Sequence, residues 1–161
     1  MKLKLALMAV AIAATSTAMA ADKRTSISVF GNLSKQSTGD ASGTVFLSFG
    51  RLVTDSLELE VSLAESFSSG DTTTMLGGGV KYYFGAVGKA GAVVPYVRAG
   101  LQSASSSGGG ARTSIIQAGG GVEFTMSESA ATFVEAAYAR YSTGNFTDNG
   151  VQVNVGIKLR F

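Results

Sequence analysis

Eight charged side chains stand at alternating positions inside otherwise apolar stretches: Glu58, Glu60, Lys81, Arg98, Glu123, Glu135, Lys158 and Arg160. Four are acids and four are bases, so the set balances. The chemistry it supports is mutual pairing. A buried charge without a partner is costly, whereas a paired, hydrated one is tolerable. Catalytic chemistry is harder to assemble. The sequence has no His and no Cys. His is the usual base for activating a Ser nucleophile, and zinc sites draw on His and Cys. A Ser with a Glu or Lys base is conceivable, but no constellation points to one. The Gly-rich stretch at 85–91 does not make a phosphate loop. Tyr83 stands where the first Gly of Gly-x-x-x-x-Gly-Lys-Ser/Thr belongs, and Ala90 follows Lys89. The expectation is a non-enzymatic protein: catalytic residues none, metal none, cofactors none.

The elements that position these charges follow a period of two. In "VQVNVGIKLRF", Val151, Val153, Val155, Ile157, Leu159 and Phe161 fall on one face. Gln152, Asn154, Gly156, Lys158 and Arg160 fall on the other. Such alternation marks a half-buried strand. Similar segments lie at about 26–34, 44–53, 57–67, 74–84, 94–104, 114–124 and 131–141. Clusters of Gly, Ser, Thr, Asn and Asp separate them, which is turn chemistry. With 21 Gly, one Pro and no sustained helical period, the chain reads as all-β. Eight strands of about ten residues predict an eight-stranded antiparallel up-and-down transmembrane β-barrel.

The alternative is a soluble sandwich, with the apolar faces packed inward. Four aromatic residues decide between them. Phe49, Phe84, Phe124 and Phe161 close the even-numbered strands, so an up-and-down topology puts all four on one rim. That is the girdle expected at a membrane interface. The apolar faces then meet lipid and the charges line the lumen. An eight-stranded barrel is only wide enough for its own side chains. The expected filling is a charged plug low in the barrel, under a neutral, wet vestibule of Asn32, Ser34, Gln102, Gln117 and Gln152. Luminal Gly77, Gly79, Gly100, Gly119, Gly121 and Gly156 would leave room for Phe30, Tyr83 and Tyr96. Outer loops are expected at about 35–42, 68–73, 103–113 and 142–149.

The first twenty residues read as a secretory signal. Lys2 and Lys4 precede an apolar run from Leu5 to Ala14, and Ala18-Met19-Ala20 makes a small-x-small cleavage site. Cleavage between Ala20 and Ala21 leaves residues 21–161 as the barrel domain. It also removes two of the 13 basic residues, leaving as many bases as the 11 acids. A neutral chain argues against nucleic acid as a partner.

Two resemblances follow from these residues. The stretch "NVGIKLRF" resembles the C-terminal assembly signal of bacterial outer-membrane proteins, with Asn154, Gly156, Leu159 and Phe161 in its four defined places. The stretches "GRLVTDSLELEVSLAESFS", "LGGGVKYYFG", "VVPYVRAGLQ" and "AGGGVEFTMSESAATFVEAAY" are similar to the small OmpA/OmpX-like eight-stranded outer-membrane barrels. Leu159 is apolar where the signal often has an aromatic residue. The resemblance implies an integral, multi-pass monomer of the bacterial outer membrane, in contact with outer-membrane lipid and lipopolysaccharide. It implies recognition by the secretion and barrel-assembly machinery during biogenesis. The chain stops at the barrel, so the peptidoglycan-binding domain of full-length OmpA-type proteins is not expected. Barrels of this kind that are enzymes use a histidine, which is lacking here. The expected role is structural, in envelope integrity. A narrow pore for ions or small solutes is the alternative, followed by surface adhesion through the outer loops.

Overall fold

The computed structural model describes residues 24–36, 41–68, 71–106 and 112–161. The cleavage site at Ala20 and Ala21 lies outside them. The eight strands are β1 (Thr25–Gln36), β2 (Ala41–Leu52), β3 (Leu57–Ser68), β4 (Asp71–Tyr83), β5 (Val93–Ser106), β6 (Thr113–Ser127), β7 (Ala130–Thr143) and β8 (Phe146–Arg160). Each pairs antiparallel with its sequence neighbours, and β8 pairs with β1 to close the barrel. Closure extends to the chain's last residue, since Phe161 and Thr25 exchange backbone hydrogen bonds of 3.0 and 3.2 Å.

Strand stagger sets the shape. From Ser26 the paired residues run through Gly50, Glu60, Gly79, Gly100, Gln117, Ala139 and Gly150. The path re-enters β1 at Gln36, ten residues further along. With eight strands this stagger tilts the strands by roughly 40°. Each residue then adds about 2.5 Å of barrel height.

The wall has two unlike faces. Leu33, Leu76, Leu101 and Ile116 point outward and are 58–71% exposed. Val155, Ile157 and Leu159 of β8 do the same. An apolar surface of this kind, running around the whole barrel, is not compatible with water but suits lipid. Phe49, Phe84, Phe124 and Phe161 lie at the ends of β2, β4, β6 and β8, which share one rim. Tyr82 joins them, edge-on to Phe84 at 5.3 Å. We orient this rim, which also holds Thr25 and Phe161, toward the periplasm.

The strands extend into all four of the expected outer loops, most at the last. The outer loop expected at 142–149 is mostly strand. Ser142 pairs with Thr147 and Thr143 with Phe146, leaving a two-residue turn at Gly144 and Asn145. Gly144 sits at φ +58°, a conformation that glycine adopts without strain. At the periplasmic end the link from β4 to β5, residues 84–92, is long, close to the span left between the two expected segments. It folds back beneath the barrel. Gly91 N donates to Thr125 O at 2.8 Å and Thr125 N to Ala92 O at 2.9 Å. Gly88 and Gly91, at φ +82° and +77°, allow the reversal. The "VTDS" turn behaves as read: Thr54 Oγ1 accepts from Leu57 N at 3.0 Å.

Candidate functional site: the barrel lumen

Alternation along the strands places all eight charged residues in the lumen, each no more than 7% exposed. The barrel joins them into one network. Lys158 on β8 donates to Glu58 on β3 at 2.6 Å and to the Tyr83 hydroxyl at 2.9 Å. Its ammonium is also 3.7 Å from Glu60 and 3.9 Å from Glu123. Arg160 pairs with Glu123 at 2.6 Å. Lys81 pairs with Glu60 at 3.2 Å. Arg98 bridges Glu60 at 3.1 Å and Glu135 at 3.4 Å. The Tyr83 hydroxyl lies between two carboxylates, 2.6 Å from Glu58 and 3.3 Å from Glu123. Every carboxylate thus has a cationic neighbour, the condition under which buried charge is tolerable.

The lumen also holds aromatic packing that alternation alone made easy to overlook. Phe30 stacks on Phe46 with parallel rings 4.7 Å apart, and Phe133 meets Phe30 edge-on at 5.6 Å. Tyr83 and Tyr96 pack 5.6 Å apart. Lys81 sits 4.4 Å from the Tyr96 ring centre, a cation–π contact. The signal for these residues was parity. Phe46 shares a face with Ser48, and Phe133 shares one with Glu135. The filling is therefore part ionic and part aromatic, not a charged plug alone.

The luminal glycines serve close packing, two of them against the expected Phe30 and Tyr96 and the others against different partners. A Cβ at Gly156 would lie 2.3 Å from Phe30 Cβ, and one at Gly121 2.9 Å from the Tyr96 hydroxyl. Gly77 and Gly100 make way for Gln102 and Gln117 instead. Gly79 and Gly119 abut the backbone of the next strand. Tyr83 is not among the nearest neighbours of any of these glycines.

Cavities lie toward both ends. The upper one, about 200 Å³, is lined by neutral side chains, with Asn32, Ser34, Gln102 and Gln152 among them. Gln117 is buried but does not line it. The periplasmic one, about 350 Å³, lies between Leu52, Arg160 and the loop residues Ala86–Gly88. Val87 of that loop packs against the luminal aromatic cluster. Between the cavities stand the ion-pair network and the aromatic stack. The four luminal carboxylates are 0–6% exposed. No group of three or more metal-ligating side chains occurs among the described residues.

A closed, two-faced barrel of this build is a transmembrane β-barrel of the small eight-stranded class found in bacterial outer membranes. Solved structures of that class superpose on it. Neisserial surface protein A matches with a TM-score of 0.64 at 16% identity, over 85% of this chain and 96% of that one. The N-terminal β-barrel domain of Pseudomonas aeruginosa OprF matches with a TM-score of 0.60 at 20% identity, over 84% and 97%. The outer-membrane enzyme PagL matches with a TM-score of 0.56 at 14% identity, over 83% and 99%. At such identities the likeness is one of fold, and it agrees with the resemblance read in the sequence. No protein-family model and no curated protein matches the chain.

Proposed function

We propose that this protein is a non-enzymatic, monomeric barrel whose role is structural. It would add a rigid, sealed element to the outer membrane, in contact with lipid and lipopolysaccharide. The observation that carries this reading is the filled lumen. Eight charges are paired into one network and backed by stacked aromatic rings, with a periplasmic loop folded beneath. PagL shows that the fold can host an enzyme, so the fold alone does not argue against catalysis. Against catalysis here stand luminal carboxylates that are all paired and buried. The terminal residues Asn154, Gly156, Leu159 and Phe161 are proposed to be read by the barrel-assembly machinery.

Conductance of the refolded protein in a planar bilayer tests the sealed state, with a heat-dependent gel-mobility shift as the check on folding. Folded wild-type protein is expected to be silent. Discrete steps altered by Arg98→Ala or Glu135→Ala would make the lumen a gated pore and overturn the structural reading.

A further inference from the structure

Sealing accounts for the lower lumen but not for the vestibule. Directly above eight buried charges lies a cavity of about 200 Å³ lined by no charged side chain. By liquid volume it has room for about six or seven waters. Its rim residues Ser66, Thr73, Thr113 and Tyr141 are partly exposed.

Its hydrogen-bonding groups are set in advance. Glu135 accepts from Asn154 Nδ2 at 2.6 Å. A carboxylate only accepts, so Asn154 must turn its NH₂ downward and its Oδ1 toward Asn32. Asn32 donates to that oxygen through Nδ2. The Asn32 carbonyl oxygen is then left as an acceptor toward the cavity that this residue lines. Nearby, Gln152 Nε2 donates to the Tyr141 hydroxyl oxygen at 2.7 Å. This leaves Gln152 Oε1 as a second acceptor and the Tyr141 hydrogen as a donor. Phe46 and Ile115 supply apolar lining beside them. The buried charge network thus fixes the amide orientation of Asn32 at the floor of a neutral site above it.

We propose that the vestibule binds one small, neutral, polyhydroxylated solute of monosaccharide size or below. Hydroxyl groups pair with the Asn32 amide oxygen and with the Gln152–Tyr141 pair, and the C–H face of the solute packs on Phe46. A charged solute would shed its hydration and meet no counter-charge. A wholly apolar one would leave the amide oxygens unpaired.

The test is calorimetric titration of the folded, heat-modifiable protein in detergent with glycerol, sorbitol and glucose. Glucuronate and protonated glucosamine serve as charged counterparts. Saturable binding of at least one neutral polyol is expected, with both charged sugars at least tenfold weaker. Ala104→Leu, which fills the cavity, is expected to abolish binding, and Gln152→Met to weaken it at least tenfold. Neither substitution touches an ion-paired residue. If only one variant folds, it decides alone; if neither does, the wild-type panel decides. No saturable binding by any polyol would mean a site filled only by water and would overturn the proposal. So would equal binding of charged sugars, or unchanged binding in a folded variant. Bilayer conductance is independent of these results, so the sealed-barrel reading stands or falls separately.

Discussion

Replacing Lys158 with methionine is expected to cost about 3–5 kcal/mol of stability, read from urea unfolding of the barrel in detergent or lipid vesicles. Lys158 is completely buried, and its ammonium faces Glu58, Glu60 and Glu123 at 2.6, 3.7 and 3.9 Å. Methionine keeps much of the unbranched stem, so the change isolates the charge. Glu58 then loses its cation in a space with little water, while Glu60 and Glu123 keep Lys81, Arg98 and Arg160. Glu58→Gln in the same background removes one of them while keeping a partner for Tyr83, and is expected to restore more than half of the loss. The exposed pair Arg24–Asp55, 3.0 Å apart at the rim, serves as the control. Arg24→Ala is expected to change stability little, because water screens an exposed pair. A loss below about 1 kcal/mol for Lys158→Met would mean a lumen wet enough to screen its charges, and the sealed interior would have to be abandoned.

Gly156→Val is expected to abolish the heat-modifiable form in refolding experiments. Gly156 pairs with Phe30 across the β1–β8 seam that closes the barrel. A Cβ there would lie 2.3 Å from Phe30 Cβ and 2.6 Å from Val29 O. The second of these atoms belongs to the backbone and cannot swing away. Overpacking in a well-filled interior usually costs about 1–3 kcal/mol, and a backbone clash at the closing seam raises that cost. Phe161→Ala separates this packing role from recognition during assembly. Phe161 stands beyond the last strand, outside the luminal packing. That variant is expected to refold normally in detergent yet to accumulate at a lower level in the outer membrane of cells. Normal refolding of Gly156→Val would show that the seam has slack. Normal cellular accumulation of Phe161→Ala would remove Phe161 from the assembly signal.

Much of the wall was legible because a strand reports its two faces at every second residue. Ile157, Lys158 and Leu159 announce lipid, lumen and lipid in turn, whatever the rest of the chain does. The long periplasmic link was less legible. Its Gly, Ala and Val residues carry no periodic signal, and its fold depends on the backbone pairing of Gly91 and Ala92 with Thr125 of β6. The two-residue turn at Gly144 was hidden for another reason. Ser142, Thr143 and Thr147 are polar on both faces, above the lipid band, where alternation no longer marks a strand.

Alternation of side chains by itself determined which residues line the lumen and which face lipid, because every strand is bound to that period. It also determined that acids and bases balance inside. Only the closed barrel decided who pairs with whom. In the ladder Lys158 lies beside Ser28 and Ala131, yet its ionic partner is Glu58 on β3, one hundred residues away in sequence. The stagger of ten residues and the resulting tilt bring these side chains to one level. The narrow lumen lets a lysine reach across it, so the pairing follows from the closure of the sheet.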